Sequence, residues 1–298
     1  NMKIAYLILV HNTPNHTKEI INALRHKNAL FFIHVDAKST LTDYEILKAK
    51  DVNIIEPCIP VYWADFSQVQ AQLSLVREAL NDSTYISRFI LLSGACYPLR
   101  SSHSIYNYFL AKKTDEFMNL VEMPSDSNGK PEERLSLYWV MQPNVVMHLY
   151  RFIRRVLIKL HLLNRFRDYS KVFGDKKPYG GSAWWALTRN ACKTVLDFYD
   201  SEKELVKFYK NVFCPDESFI HTAIGNSIYK KRVQRNLTFA DWSNGGANPN
   251  LITSGHIRYF LTADPIEFLD SFGPGDALFA RKFPDNSANL LKQLNNNQ

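Results

Sequence analysis

Near the start of the sequence stand seven consecutive apolar residues, Ile4-Ala5-Tyr6-Leu7-Ile8-Leu9-Val10. They limit the fold more than any other stretch. A run without polar alternation must be covered on both faces, as in a parallel sheet between helices. It is too short to cross a bilayer. Lys3–Val10 therefore reads as a buried strand. His11–Asn15 is a turn, and His16–Arg25 a helix with Ile20, Ile21 and Leu24 inward. Leu30–Val35 and Val52–Glu56 follow as strands two and three. Strand, helix and strand at this interval predict an α/β fold with a parallel sheet covered by helices. Ligands of such sheets sit beyond the carboxyl ends of the strands. That places His11, Asp36 and the segment after Glu56 near the site. Asp36 has two readings here: a contact to a uracil or ribose edge, or a solvated loop acid.

Further along, Tyr62-Trp63-Ala64-Asp65-Phe66 leads into Ser67-Gln68-Val69-Gln70, a capping-box pattern, with Val69, Leu73, Val76 and Leu80 at helical spacing. Arg88–Leu92 is a fourth strand. The segment after it, with Gly94-Ala95-Cys96, lacks the Asp-x-Asp pair that would hold a hard divalent cation. Asp115–Val121 is a further strand. Leu149–Phe166 reads as a basic amphipathic helix, with an apolar stripe of Phe152, Ile153, Val156, Leu157, Leu160 and Leu163 and charge from Arg151, Arg154, Arg155, Lys159 and Arg165. It is either a membrane-surface helix or an insertion packed on the domain with a solvated polar face. In Tyr179-Gly180-Gly181-Ser182-Ala183-Trp184-Trp185, two glycines precede an aromatic strand. They imply close backbone approach, to a sugar ring or to a neighbouring strand. Beyond Leu294 the Asn-rich tail reads as unstructured, and Asn1 before Met2 as a tag remnant.

Cys214-Pro215-Asp216-Glu217-Ser218-Phe219-Ile220 places two carboxylates where an extended segment meets an apolar-periodic helix. Asp216 is expected to cap the first turn. Glu217 then stands at the positive helix end, where an ionised carboxylate is favoured. Such a group suits general-base chemistry on a hydroxyl, although capping alone would also explain both acids. Adjacent acids cannot face each other across a sugar, which argues against a glycoside hydrolase.

The 298 residues suffice for one large α/β domain, read as 1–298 with a basic helical insertion around 145–170. The net charge of +7 favours anionic partners, but no nucleic-acid motif accompanies it. Cys58, Cys96, Cys192 and Cys214 show neither CxxC nor zinc-site spacing and read as free thiols.

In combination and order, Ile33-His34-Val35-Asp36, Trp63–Gln70, Leu91–Pro98, Gly181–Arg189, Pro215-Asp216-Glu217 and Phe279–Phe283 resemble the core-2/I-branching β-1,6-N-acetylglucosaminyltransferase family, which also holds the peptide O-xylosyltransferases (glycosyltransferase family 14). The resemblance implies a GT-A-type, Rossmann-like fold with a mixed, mostly parallel sheet flanked by helices. It also implies an inverting, metal-independent transfer, with no cofactor, from a UDP-sugar to a glycan or lipid-linked glycan acceptor. Glu217 matches the family's catalytic base. Arg258 and Lys282 match its diphosphate-binding cations. Val10, His11, Asp36, Tyr62 and Trp63 fall where the uridine is held, and Glu122, Arg134, Trp184 and Trp242 on the acceptor side. The expectation is a bacterial cytoplasmic enzyme of surface-glycan synthesis, at the inner membrane face, with peripheral membrane contact through 149–167. N-acetylglucosamine is the first-choice donor sugar and xylose the alternative. A catalytically silent glycan- or nucleotide-binding module is the competing class.

Overall fold

The computed structural model describes residues 2–296, so Asn1 and the last two residues lie outside the described part. Its centre is a seven-stranded sheet. From one edge to the other the strands are Val233–Gln234, Glu116–Phe117, Ala186–Thr188, Arg88–Ser93, Ile4–Val10, Ala29–Val35 and Val52–Ile54. Ile4–Val10 pairs in parallel with both Ala29–Val35 and Arg88–Ser93. Only Ala186–Thr188 runs antiparallel to its two neighbours. This is the mixed, mostly parallel α/β architecture expected.

The apolar run divides its side chains between two cores, as an extended chain must. Ile4, Tyr6, Ile8 and Val10 enter a core with the helices Pro14–Leu24, Ser254–Thr262 and Ala288–Asn295. Ala5 and Leu7 enter the opposite one with Ser67–Asn81, Arg189–Ser201 and Phe219–Gly225. Burial on both sides explains why the run carries no polar alternation. Arg88 is the largest fully buried side chain. Its guanidinium donates to the backbone carbonyls of Asp115 and Ala186 at 2.8 and 3.1 Å, tying the strand to its neighbours.

A second, three-stranded sheet orders Thr238–Ala240, Phe279–Arg281 and Tyr97–Pro98. It returns the C-terminal part of the chain to the end of Arg88–Ser93, where the Phe283 N–H donates to the Ala95 carbonyl at 2.9 Å.

Several local expectations are corrected. The first helix begins at Pro14, not His16. The Ser67/Gln70 capping box does not form. Ser67 is already helical, and its hydroxyl accepts from the Tyr62 N–H at 2.9 Å. Asp115–Val121 is two short strands, Glu116–Phe117 and Val121–Glu122. The aromatic strand begins only at Ala186 and ends at Thr188, and Tyr179–Gly180 forms a separate short strand before it. The basic helix spans Val145–Lys159, because Asn144 caps it by accepting from the Met147 N–H at 2.8 Å. The last helix reaches Asn295, into the segment read as an unstructured tail. All four cysteines are free. No helix among the described residues is long and apolar enough to cross a membrane.

Candidate active site

The carboxyl ends of the parallel strands open onto one cavity of about 760 Å³. Val10, His11, Asp36 and the Ser93–Ala95 turn form one side of its lining, as the sheet rule predicts. Glu217, Lys130, Arg134, Trp184, Trp242 and Lys282 also line it.

Glu217 reaches the cavity by an unexpected local route. Cys214 adopts a left-handed conformation, φ 50°, and Pro215–Glu217 forms a single 3₁₀ turn. The α-helix starts only at Phe219. Asp216 therefore caps nothing, and the helix-end field proposed for Glu217 is not what holds it. Two cations do so instead. Lys130 Nζ donates to Glu217 Oε2 at 2.9 Å, and Arg134 Nη1 to the same oxygen at 2.7 Å. Oε1 takes no hydrogen bond from the described residues. Burial alone would raise the Glu217 carboxyl, but the two cations outweigh it and hold the group below the usual glutamate range. Glu217 is thus ionised at neutral pH. Asp216 behaves oppositely. Burial, and then the charge of Glu217, push it up to about 7, and its Oδ1 has no hydrogen-bond partner.

The helix Phe219–Gly225 behind Glu217 is buried along its whole length. Ser218 does not cap it. The Ser218 hydroxyl donates instead to the Tyr179 carbonyl at 2.7 Å. The ring of His221 is fully buried and donates from Nε2 to the Ser182 carbonyl at 2.7 Å, and burial lowers it to about 4. It is neutral at pH 7 and fixes the Gly181–Trp184 segment against the helix that follows the Pro215–Glu217 turn. The two glycines answer to protein, not to a sugar. A Cβ on Gly181 would lie 1.8 Å from the Asn119 carbonyl oxygen, and one on Gly180 3.2 Å from that of Glu217. Of the two expectations, tight packing accounts for both glycines.

On the strand-end side, Asp36 Oδ1 accepts from the Lys38 N–H at 2.9 Å, and Oδ2 from Lys38 Nζ at 2.6 Å. Burial raises this carboxyl, but the bonds from Lys38 and the Val61 N–H overcome it, so Asp36 stays below its ordinary value. Trp63 is 54% exposed at the rim and meets Phe213 edge-on at 5.5 Å. Trp242 is 46% exposed on the same lining.

Three expected residues lie elsewhere. Tyr62 is turned under Lys38, whose Nζ is 4.5 Å from the ring centre, and does not line the cavity. Glu122 is exposed and pairs with Lys177 at 2.9 Å. Arg258 is on the outer side of Ser254–Thr262, because Ile257 and Phe260 take the core side. Arg281, the residue before Lys282, stacks over Trp184 at 4.6 Å, lines the cavity and leaves Nε unpartnered. Sequence reasoning also missed Lys130, a buried lysine in a polar loop. Arg281 had a legible signal, because it directly precedes Lys282 in the same short segment. Lys130 had none. Among the described residues, no three His, Cys, Asp or Glu side chains are grouped to hold a metal ion.

Comparison with known proteins places this cavity in context. The family described as "Core-2/I-Branching enzyme" matches residues 4–260. A xylosyltransferase of Ciona intestinalis is 22% identical over 295 residues, covering 91% of this chain and 32% of that protein. Human xylosyltransferase 2 is 25% identical over 250 residues, covering 81% of this chain and 27% of its own length. The chain thus spans about a third or less of these curated relatives. Among solved structures, apo mouse xyloside xylosyltransferase 1 aligns with a TM-score of 0.38 at 12% identity, covering 93% of this chain and 97% of that one.

Proposed function

This chain belongs to the Core-2/I-branching enzyme family, and from that premise we propose that it is an inverting glycosyltransferase moving a sugar from a UDP-sugar to a glycan hydroxyl. The observation that carries the reading is the state of Glu217. Its carboxylate faces the strand-end cavity, is held ionised through one oxygen, and leaves Oε1 without a hydrogen bond. In the proposed reaction Oε1 accepts the proton of an acceptor hydroxyl, for which a sugar C6 hydroxyl is our assignment. The acceptor oxygen attacks the donor C1 as the bond to UDP breaks, which inverts that centre and gives a β-linkage. Lys130 and Arg134 keep the base charged and oriented, at some cost in basicity. Charge builds on the departing diphosphate, and we assign its stabilisation to Lys282 and Arg281, which line the cavity. Val10, His11 and Asp36 line the part of the cavity assigned to the nucleotide.

We assign N-acetylglucosamine as the donor sugar. A second reading, UDP-xylose, is favoured by the names of the relatives, which are xylosyltransferases. The test is a UDP-sugar panel, measuring binding, slow donor hydrolysis and transfer to glycan acceptors, with and without EDTA. Turnover of one donor, unchanged by EDTA, supports the cation-clamp reading and names the sugar. Loss of turnover in EDTA removes the metal-independent mechanism. Binding without turnover on any acceptor turns the assignment to a silent binding module.

A further inference from the structure

The helix Val145–Lys159 is inverted relative to a normal surface helix. None of its 15 residues is buried. The positions nearest the domain are Met147, Arg151, Arg154, Leu157 and Ile158, all half-buried. Two of these are arginines. Arg151 donates to the Val140 carbonyl at 3.1 Å, and Arg154 lies over the Tyr138 ring at 4.3 Å. The opposite face is apolar and points outward. Val145, Leu149, Phe152, Ile153, Val156 and Leu160 recur there at three- and four-residue steps, with Val145 83% and Phe152 63% exposed. Leu162 and Phe166 extend the patch beyond the helix. A solvated polar face, one of the two expectations for this segment, is therefore not what the helix presents.

Charge selects what covers this ridge. Residues 134–167 contain seven Lys and Arg and no Asp or Glu. The remainder of the chain holds 29 cations against 29 anions, so this stretch accounts for the whole net charge of +7. Arg155, Lys159 and Arg165 are exposed beside the apolar ridge. A second copy docking face to face would set these cations against their own equivalents without an acid to pair them. A convex apolar ridge flanked by cations instead fits the boundary between acyl chains and anionic headgroups. We propose that this helix is a peripheral docking element for anionic membranes, lying in the interface with Leu149, Phe152 and Val156 inserted. The placement is independent of which sugar the cavity takes.

The experiment is co-sedimentation with vesicles of phosphatidylcholine alone or of equimolar phosphatidylcholine and phosphatidylglycerol, with light scattering on the lipid-free protein. The native chain should pellet with the anionic vesicles, stay in solution with the neutral ones, and release as salt is raised. Leu149→Ser/Phe152→Ser should weaken vesicle binding about tenfold or more. Arg155→Glu/Lys159→Glu should do so to a similar degree. Both variants change exposed positions and should melt at the native temperature. Absence of pelleting with anionic vesicles at low salt would overturn the proposal. So would unchanged binding by either double variant, or a lipid-free dimer that L149S/F152S converts to monomer.

Discussion

At the scale of single residues, the site is organised by a difference between two adjacent carboxyls. Glu217→Gln removes the proposed proton acceptor while keeping shape. Transfer should fall roughly 10²–10⁴-fold, with UDP-sugar affinity retained in a titration. The pH profile carries a second expectation. The Glu217 carboxyl is held low, so kcat/KM should remain on its plateau until pH falls below the ordinary glutamate range. Lys130→Met removes one of the two cations and should shift that acid limb upward. Asp216 works in the other direction. Its folded-state value of about 7 lies above the ordinary aspartate value, so folding favours the protonated form. That contribution is complete below the ordinary value of about 4 and is lost as pH rises towards 7. Asp216→Asn should therefore raise the melting temperature more at pH 8 than at pH 4, by about 2–4 °C. The pair was legible in the sequence as two acids at a turn. Their opposite states were not, because they depend on Lys130 and Arg134, more than eighty residues earlier in the chain.

At the scale of elements, the sheet and its helices were readable because their signals are local and repeat. The run Ile4–Val10 appears as the strand it announced, and Val10 and Asp36 reach the cavity through the general rule for strand ends. The failed Ser67 cap has a plain physical cause, competition for a polar partner. The Ser67 hydroxyl is suited to capping, yet it is taken by the Tyr62 backbone N–H, five residues earlier. Arg258 failed for a different reason. Its motif context pointed to the diphosphate, but the helical period of Ile257 and Phe260 turns it to solvent. The Gly180-Gly181 pair tests the packing account directly. Gly181→Ala must displace the Asn119 backbone, and should destabilise the fold by about 1–3 kcal/mol or more in denaturant titration. A functional role in sugar contact alone would leave stability unchanged.

At the scale of the whole molecule, one compact body carries one protruding segment, and the two are separately built. The seam between them is short. Leu137 bridges to Phe166, and the Arg167 side chain donates to the carbonyls of Leu135, Leu137 and Asn211 at 3.1, 2.9 and 2.9 Å. From residue 144 to 163 the chain adds lighter contacts to the stretch before it, the Arg151 bond to the Val140 carbonyl and Arg154 over the Tyr138 ring. Replacing 144–163 with a short Gly/Ser linker should leave the melting temperature within about 2 °C of the native value and donor hydrolysis intact, measured by thermal unfolding and a coupled UDP assay. The sequence marked this segment as basic and amphipathic. Which way its apolar side would face depended on the placement of Tyr138 and Val140, and no periodicity reports that.

The Arg167 seam also bears on inheritance. A chain that leaves and re-enters its domain through one stitched doorway can lengthen, shorten or exchange what lies beyond it, while every residue that lines the cavity keeps its neighbours. Descendants of such a chain are free to rewrite the protruding segment without disturbing the cavity.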